Sequence, residues 1–237
     1  MCGGGFFKDS IILVSGATGT GKTLTITEFI KGGYQKKQKV LLMAYEESAE
    51  QLTRNALGWG VNFTTLIRKG NLHIESVYPE TAGLEEHLLH IQRLVEEYRP
   101  DRFVLDSLSA IERGSSKKNF REFLIALTSF LKNKEITSIF TSTSTFIVGG
   151  TSVTDLYIST ITDTIILLRY AEIFGTIHRV TTILKMRGSR HDKNIYEFDI
   201  SEKGMIISNK RFHEVNGILG GLQLPVLRKN DKQDTRP

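Results

Sequence analysis

Gly16-Ala17-Thr18-Gly19-Thr20-Gly21-Lys22-Thr23 follows directly on the apolar run Ile11-Ile12-Leu13-Val14, and this junction decides the fold. The eight residues satisfy G-x-x-x-x-G-K-[ST]. Their setting is the one the motif needs: a buried strand, a glycine-rich turn, then a helix starting near Lys22. Glycines let the backbone curl until several N–H groups face one anion, and the helix N-terminus adds its dipole. In that geometry Lys22 reaches the β- and γ-phosphates of a nucleoside triphosphate and the Thr23 hydroxyl binds Mg²⁺. The alternative, an ordinary glycine turn, does not require eight positions and both flanks to agree.

Outward from this loop the chain alternates two textures. Ser10–Ser15, Lys39–Tyr45, Leu72–Val77, Arg102–Asp106 and Ile136–Ser142 are short apolar runs bounded by polar or turn residues, which is the pattern of buried strands. Between them, Leu84, Leu88, Ile91, Val95 and Tyr98 lay one apolar stripe along a helix, and Pro100 stops it. Phe120, Phe123, Leu124, Leu127, Phe130 and Leu131 do the same for the next helix. Such alternation predicts an α/β domain with a mainly parallel central sheet and helices on both faces. From Asp163 the texture changes: Thr164–Arg169, Ile177–Met186 and Tyr196–Ile200 are strand-like, with no room for crossover helices. They are expected to extend the sheet in antiparallel fashion. The domain is expected to span residues 1–209, with 210–237 a partly disordered tail. Met1-Cys2-Gly3-Gly4-Gly5-Phe6-Phe7 enters the first core strand so soon that it reads as a cut through a longer chain.

A second Mg²⁺ ligand is expected from an acid that ends another core strand, and Asp106 closes Arg102-Phe103-Val104-Leu105. The next residue is Ser107, so the group that activates water must come from elsewhere. Glu46 and Glu47, at the end of Val40–Tyr45, are the catalytic candidates together with Lys22, because strand ends converge on the phosphate loop in an open α/β sheet. The competing reading is that Glu46-Glu47-Ser48 leads into a helix over Ser48–Leu57, whose dipole favours acids at its start. Lys185 and Arg187 can complete a nucleotide site on an adjacent subunit, or can protect an exposed edge strand. Trp59 can stack on a nucleotide base, or simply pack.

Between Thr141 and Thr164, 12 of 24 residues are Ser or Thr. Hydroxyls can accept a phosphoryl group in place of water, but Ser and Thr are also good strand and turn residues, and composition alone favours the second use.

The whole chain has 237 residues, 40% hydrophobic and 24% charged, which suits one large α/β domain. Its single cysteine, Cys2, forms no internal disulfide, so a reducing cytoplasm is the expected compartment. No apolar run approaches the ~20 residues needed to cross a bilayer, so no membrane association is expected. The net charge of +5 is concentrated at the end: residues 205–237 hold six Lys/Arg against three Asp/Glu, leaving +2 for the rest. A basic tail on a near-neutral core makes nucleic acid an unexpected partner.

Taken together, Cys2-Gly3-Gly4-Gly5-Phe6-Phe7-Lys8-Asp9-Ser10-Ile11, the loop Gly16–Thr23, Tyr45-Glu46-Glu47-Ser48, Asp106-Ser107-Leu108-Ser109-Ala110, Ile158–Leu168 and Lys185-Met186-Arg187-Gly188-Ser189 resemble the KaiC family of circadian-clock ATPases and autokinases. The likeness is to the family's C-terminal ATPase half and covers about residues 1–205. It implies a RecA-like P-loop domain that assembles as a homo-hexamer with ATP and Mg²⁺ at the subunit interfaces. It also implies possible clock-type protein partners. By the same resemblance Glu46 and Glu47 fall on catalytic glutamates, Ser159 and Thr160 on autophosphorylation sites, and Thr154 on a nearby hydroxyl. Lys185 and Arg187 fall on cations that touch a neighbour's ATP. The implied activity is ATP-dependent Ser/Thr autokinase with ATPase and reversible phosphoryl transfer. Alternatives are a DNA-dependent RecA-like ATPase and a non-catalytic, ATP-stabilised ring scaffold. Two departures stand out: Arg190 occupies a position usually held by Trp, and the tail beyond Gly204 diverges.

Overall fold

In the computed structural model, residues 1–143, 158–173 and 175–211 are described. Among them, nine strands form one sheet in the order β3-β2-β4-β5-β1-β6-β7-β8-β9. The parallel part comprises β1 (Ile11–Gly16), β2 (Val40–Ala44), β3 (Leu72–Ser76), β4 (Arg102–Asp106), β5 (Thr137–Ser142) and β6 (Thr164–Ile173). The antiparallel part continues through β7 (Thr176–Met186), β8 (Tyr196–Ser201) and β9 (Gly204–Arg211).

Strands β1, β2 and β4 are apolar at successive positions, and β5 is buried at successive positions although mostly Ser and Thr, because both faces of the sheet are covered. On β1, Ile11 and Leu13 face one core and Ile12 and Val14 the other. The first core is roofed by α4 (Leu84–Tyr98), α5 (Leu108–Arg113) and α6 (Lys117–Asn133). The second lies under α1 (Lys22–Gln35), α2 (Ala49–Gly58) and α3 (Phe63–Arg68), and β7 and β8 contribute Ile183, Met186 and Phe198 to it. Apolar side chains left in water are unfavourable, and successive residues of a strand point to opposite faces, so two apolar faces on one strand demand two helical layers.

The helical stripes behave as their spacing predicts. Phe120, Phe123, Leu124, Leu127 and Leu131 of α6 are buried. On α4, Ile91 and Val95 are buried, with Leu84, Leu88 and Tyr98 packed at the margin. Arg99 closes α4 in the left-handed region at φ 52°, just before Pro100. Three elements depart from the sequence reading. α3 and α5 are short helices it did not place, and β9 continues the sheet through Lys210 and Arg211, where the tail was expected to begin.

Topology places two ends in play. The C-terminal ends of β1, β2 and β4 carry the glycine-rich loop, the two glutamates and Asp106. Residues 158–163 lie at the opposite end, where the Asp163 N–H donates to Ile11 O at 2.8 Å and the Ile11 N–H donates to Asp163 Oδ2 at 2.9 Å.

Candidate phosphate-binding and phosphoryl-acceptor sites

The loop after β1 is held by its own contacts and by glycines that no other residue replaces. Thr20 is fully buried, and its hydroxyl donates to Ala17 O at 2.7 Å, drawing the turn closed. A Cβ on Gly16 would come 2.5 Å from Leu168 O and 2.6 Å from Thr20 Oγ1, so β6 and the loop can meet only over a glycine. Gly21 adopts φ 104° at the N-cap of α1, and no side chain caps that helix. The first-turn N–H groups therefore remain directed at the loop's interior, which Ala17, Thr18 and Gly19 line with backbone.

Lys22 is buried, and burial pulls its ammonium pKa below the ordinary value, although the Asp106 and Glu46 carboxylates oppose the shift. It donates to the carbonyls of Gly16 at 3.0 Å and Ala17 at 3.1 Å. That uses two of three donors and fixes the head group over the loop.

Thr23 Oγ1 lies 3.3 Å from Glu47 Oε1 and 3.4 Å from Asp106 Oδ2. Asp106 is buried and accepts a short hydrogen bond from the Thr141 hydroxyl. Burial, reinforced by Glu47 and Glu46, pushes its carboxyl up to about 6, against the opposing pull of Thr141 and Lys22. An oxygen-only set of one hydroxyl and crowded carboxylates suits a hard divalent cation. Among the described residues no cluster of three His, Cys, Asp or Glu is placed to chelate a metal alone.

The two glutamates stand just outside α2. The cap is a reciprocal box: Ser48 Oγ accepts from Gln51 N at 3.2 Å and Ser48 N donates to Gln51 Oε1 at 3.0 Å. The acid in the first turn is Glu50, so neither Glu46 nor Glu47 is required by the helix dipole. Glu46 is bonded to the exposed Arg113 at 3.3 Å.

Lys185 and Arg187 lie at the other end of the sheet. β7 pairs with β6 along its length but with β8 only at Val180 and Thr181, so Lys185 lies on a stretch with β6 on one side, and Arg187 follows the end of the strand. The Lys185 ammonium donates to Ser159 O and Thr162 O, each at 2.6 Å, and Arg187 donates to Thr160 O at 2.6 Å. Burial and the neighbouring Arg187 lower the Lys185 pKa. Residues 158–161 are helical, anchored by the buried Ile158, with Ser159 half-buried and Thr160 exposed. Asp163 binds Lys132 at 2.7 Å and lies 3.6 Å from Arg187. Thr154 lies outside the described residues.

Trp59 caps the C-terminus of α2, and its carbonyl lies beside Gly204 in the β8–β9 turn, while Phe198 of β8 lies beside Gly21. Three contacts escaped the sequence reading. Arg179 Nε donates to Gly19 O at 3.2 Å and its guanidinium sits 5.7 Å from the Tyr170 ring, so the β6–β7 hairpin braces the loop apex. Asn55 holds Glu47, and Thr141 holds Asp106. Thr141 meets Asp106 because β4 and β5 pair in parallel with Leu105 opposite Phe140, which puts the next residues side by side, a register visible only in the fold.

A family model described as "ATPase: KaiC" matches residues 1–211. The chain belongs to the KaiC family. It is 57% identical over 221 residues to "Circadian clock protein KaiC3" of Synechocystis sp., covering 93% of this chain and 44% of that protein. It is 52% identical to "Circadian clock oscillator protein KaiC" of Thermostichus vulcanus and 51% identical to the protein of that name from Synechococcus elongatus, covering 93% of this chain and 42% of each. The chain thus spans less than half the length of these relatives. Its fold is a RecA-like P-loop ATPase domain with an antiparallel extension, and membership of this ATPase family implies nucleotide binding. No described helix is long and apolar enough to cross a membrane.

Proposed function

We propose that this KaiC-family domain is an ATP-dependent Ser/Thr autokinase with ATPase and reversible phosphoryl-transfer activity, acting as a homo-hexameric ring. Gly16–Thr23 would hold the triphosphate, Thr23 and Asp106 would hold Mg²⁺, and Trp59 would border the base. Bound Mg²⁺ would neutralise charge on the β- and γ-phosphate oxygens. Glu46 and Glu47 orient the attacking hydroxyl and take its proton as the new Oγ–P bond forms and the bond to the β-phosphate oxygen breaks, leaving ADP. Ser159 and Thr160 are the acceptors. Water in their place gives ATP hydrolysis, and the reverse step returns the phosphoryl group to ADP.

One observation carries this reading. The phosphate loop leaves the C-terminal end of β1, whereas residues 158–163 are fastened to Ile11 at its N-terminal end. At about 3.3 Å per residue, those ends are roughly 16 Å apart. A loop and an acceptor too far apart to react within one chain, with Lys185 and Arg187 beside the acceptor, are two halves of a site that a second copy completes. The names of the relatives favour a clock setting, and clock-type protein partners belong to the same proposal.

The test is incubation with ATP labelled at the γ-phosphate, followed by mapping of the label. Label on Ser159 or Thr160, lost in Ser159→Ala/Thr160→Ala, is the expected result. Free phosphate with no labelled protein would reduce the activity to hydrolysis alone.

A further inference from the structure

The two adjacent glutamates are restrained in different ways. Among the described residues, the Glu46 carboxylate is hydrogen-bonded to the exposed Arg113 alone, at 3.3 Å. Glu47 is fixed at three points. Its Oε1 lies 3.3 Å from Thr23 Oγ1, its Oε2 accepts from Asn55 Nδ2 at 2.9 Å, and its carbonyl accepts from the Ser76 hydroxyl at 3.4 Å. Asn55 projects from α2, and α2 starts at the Ser48 cap, the residue after Glu47. The carboxylate and the amide that holds it therefore move as one unit.

We infer that Asn55 is a positioning residue for ATP turnover, locking the Glu47 carboxylate toward Thr23 and Asp106 while Glu46 is left to swing. The inference rests on the catalytic reading of Glu47 given above. The choice of an amide has a physical reason. Asp106, Glu46 and Glu47 form a crowded acidic set, and a neutral donor orients one carboxylate without discharging it. A lysine or arginine at position 55 would pair with Glu47 and compete with any cation the set is meant to hold. Alanine would leave Oε2 with no protein donor and the side chain free to rotate, and small misplacements near a reacting phosphoryl group are costly in rate.

A double-mutant cycle on the full chain tests this. ATP hydrolysis is measured for the parent, Asn55→Ala, Glu47→Gln and the double variant. Nucleotide affinity in EDTA and melting temperature are measured alongside. Asn55→Ala is expected to lower kcat about tenfold, with affinity changed less than about twofold and melting little altered. Added to Glu47→Gln, it should cost less than about twofold more. Asn55→Asp, which has the same shape but no donor, should fall at least as far as alanine. A full tenfold loss in both backgrounds, or parental kcat in Asn55→Ala, overturns the role of Asn55. Parental turnover in Glu47→Gln would instead remove Glu47 from the machinery, and the inference with it.

Discussion

Asp106 is the residue at which stability and use are most at odds. Its buried carboxyl has a pKa raised from 3.8 to about 6, chiefly by desolvation. In the unfolded chain the group ionises near the lower value, so between about 4 and 6 the native state binds more protons. The fold has its full share of this stability below pH 4 and loses it as pH rises through 6. Asp106→Asn should therefore stabilise the nucleotide-free, EDTA-treated domain by about 2 kcal/mol at pH 7.5, with the gain vanishing near pH 4, while abolishing hydrolysis. Denaturant titration at the two pH values checks the sign, and an equal gain at both would refute the cause. Gly16→Ala makes a second residue-level prediction. With Leu168 O only 2.5 Å from the new Cβ, it should cost about 2–3 kcal/mol and shift melting downward. The phosphate loop, Asp106 and the glutamate pair were legible in sequence because strand-end position and motif spacing are local. Asn55, Arg113 and Arg179 were not, since each reaches its partner only through tertiary placement.

At the scale of elements, what could be read was whatever had a period. β4 matches its expected bounds, and the other expected strands lie within a few residues of theirs, because an apolar run flanked by turn residues has few alternatives. α3 was missed although Asn62 caps it, its side chain accepting from Thr65 N at 2.9 Å. Phe63-Thr64-Thr65-Leu66-Ile67-Arg68 is too short to establish a helical stripe and is β-branched in three of six places. β9 was missed for the opposite reason: Ile206 and Ile207 are both partly exposed, so no face declares itself. The reciprocal cap on α2 gives a clean test. Ser48→Ala should cost about 1 kcal/mol in equilibrium unfolding. Because the cap is the hinge between Glu47 and Asn55, kcat should fall as well, and an unchanged rate would show that the glutamates are placed without it.

Across the whole molecule, the separation of loop and acceptor turn makes a prediction no single chain can satisfy. A Lys22→Ala variant that cannot use ATP and a Ser159→Ala/Thr160→Ala variant that cannot accept phosphate should each remain unlabelled by γ-labelled ATP. Mixed and allowed to exchange subunits, they should place label on the Lys22→Ala chain alone. No label on that chain after subunit exchange, with the parent protein labelled under the same conditions, would mean a donor loop within reach of its own hydroxyls.

The cations beside the acceptor turn carry a cost for any assembly of this kind. Lys185 places two of its three donors on the carbonyls of Ser159 and Thr162, and Arg187 places one of its five on the carbonyl of Thr160. A head group that turned wholly outward would give up those oxygens and with them a fastener of the short helix, whereas its remaining donors let it hold carbonyl and anion together. In the proposed ring, an anion on a facing copy would compete with those carbonyls for the same head groups, tying the hold on the short helix to what lies opposite it.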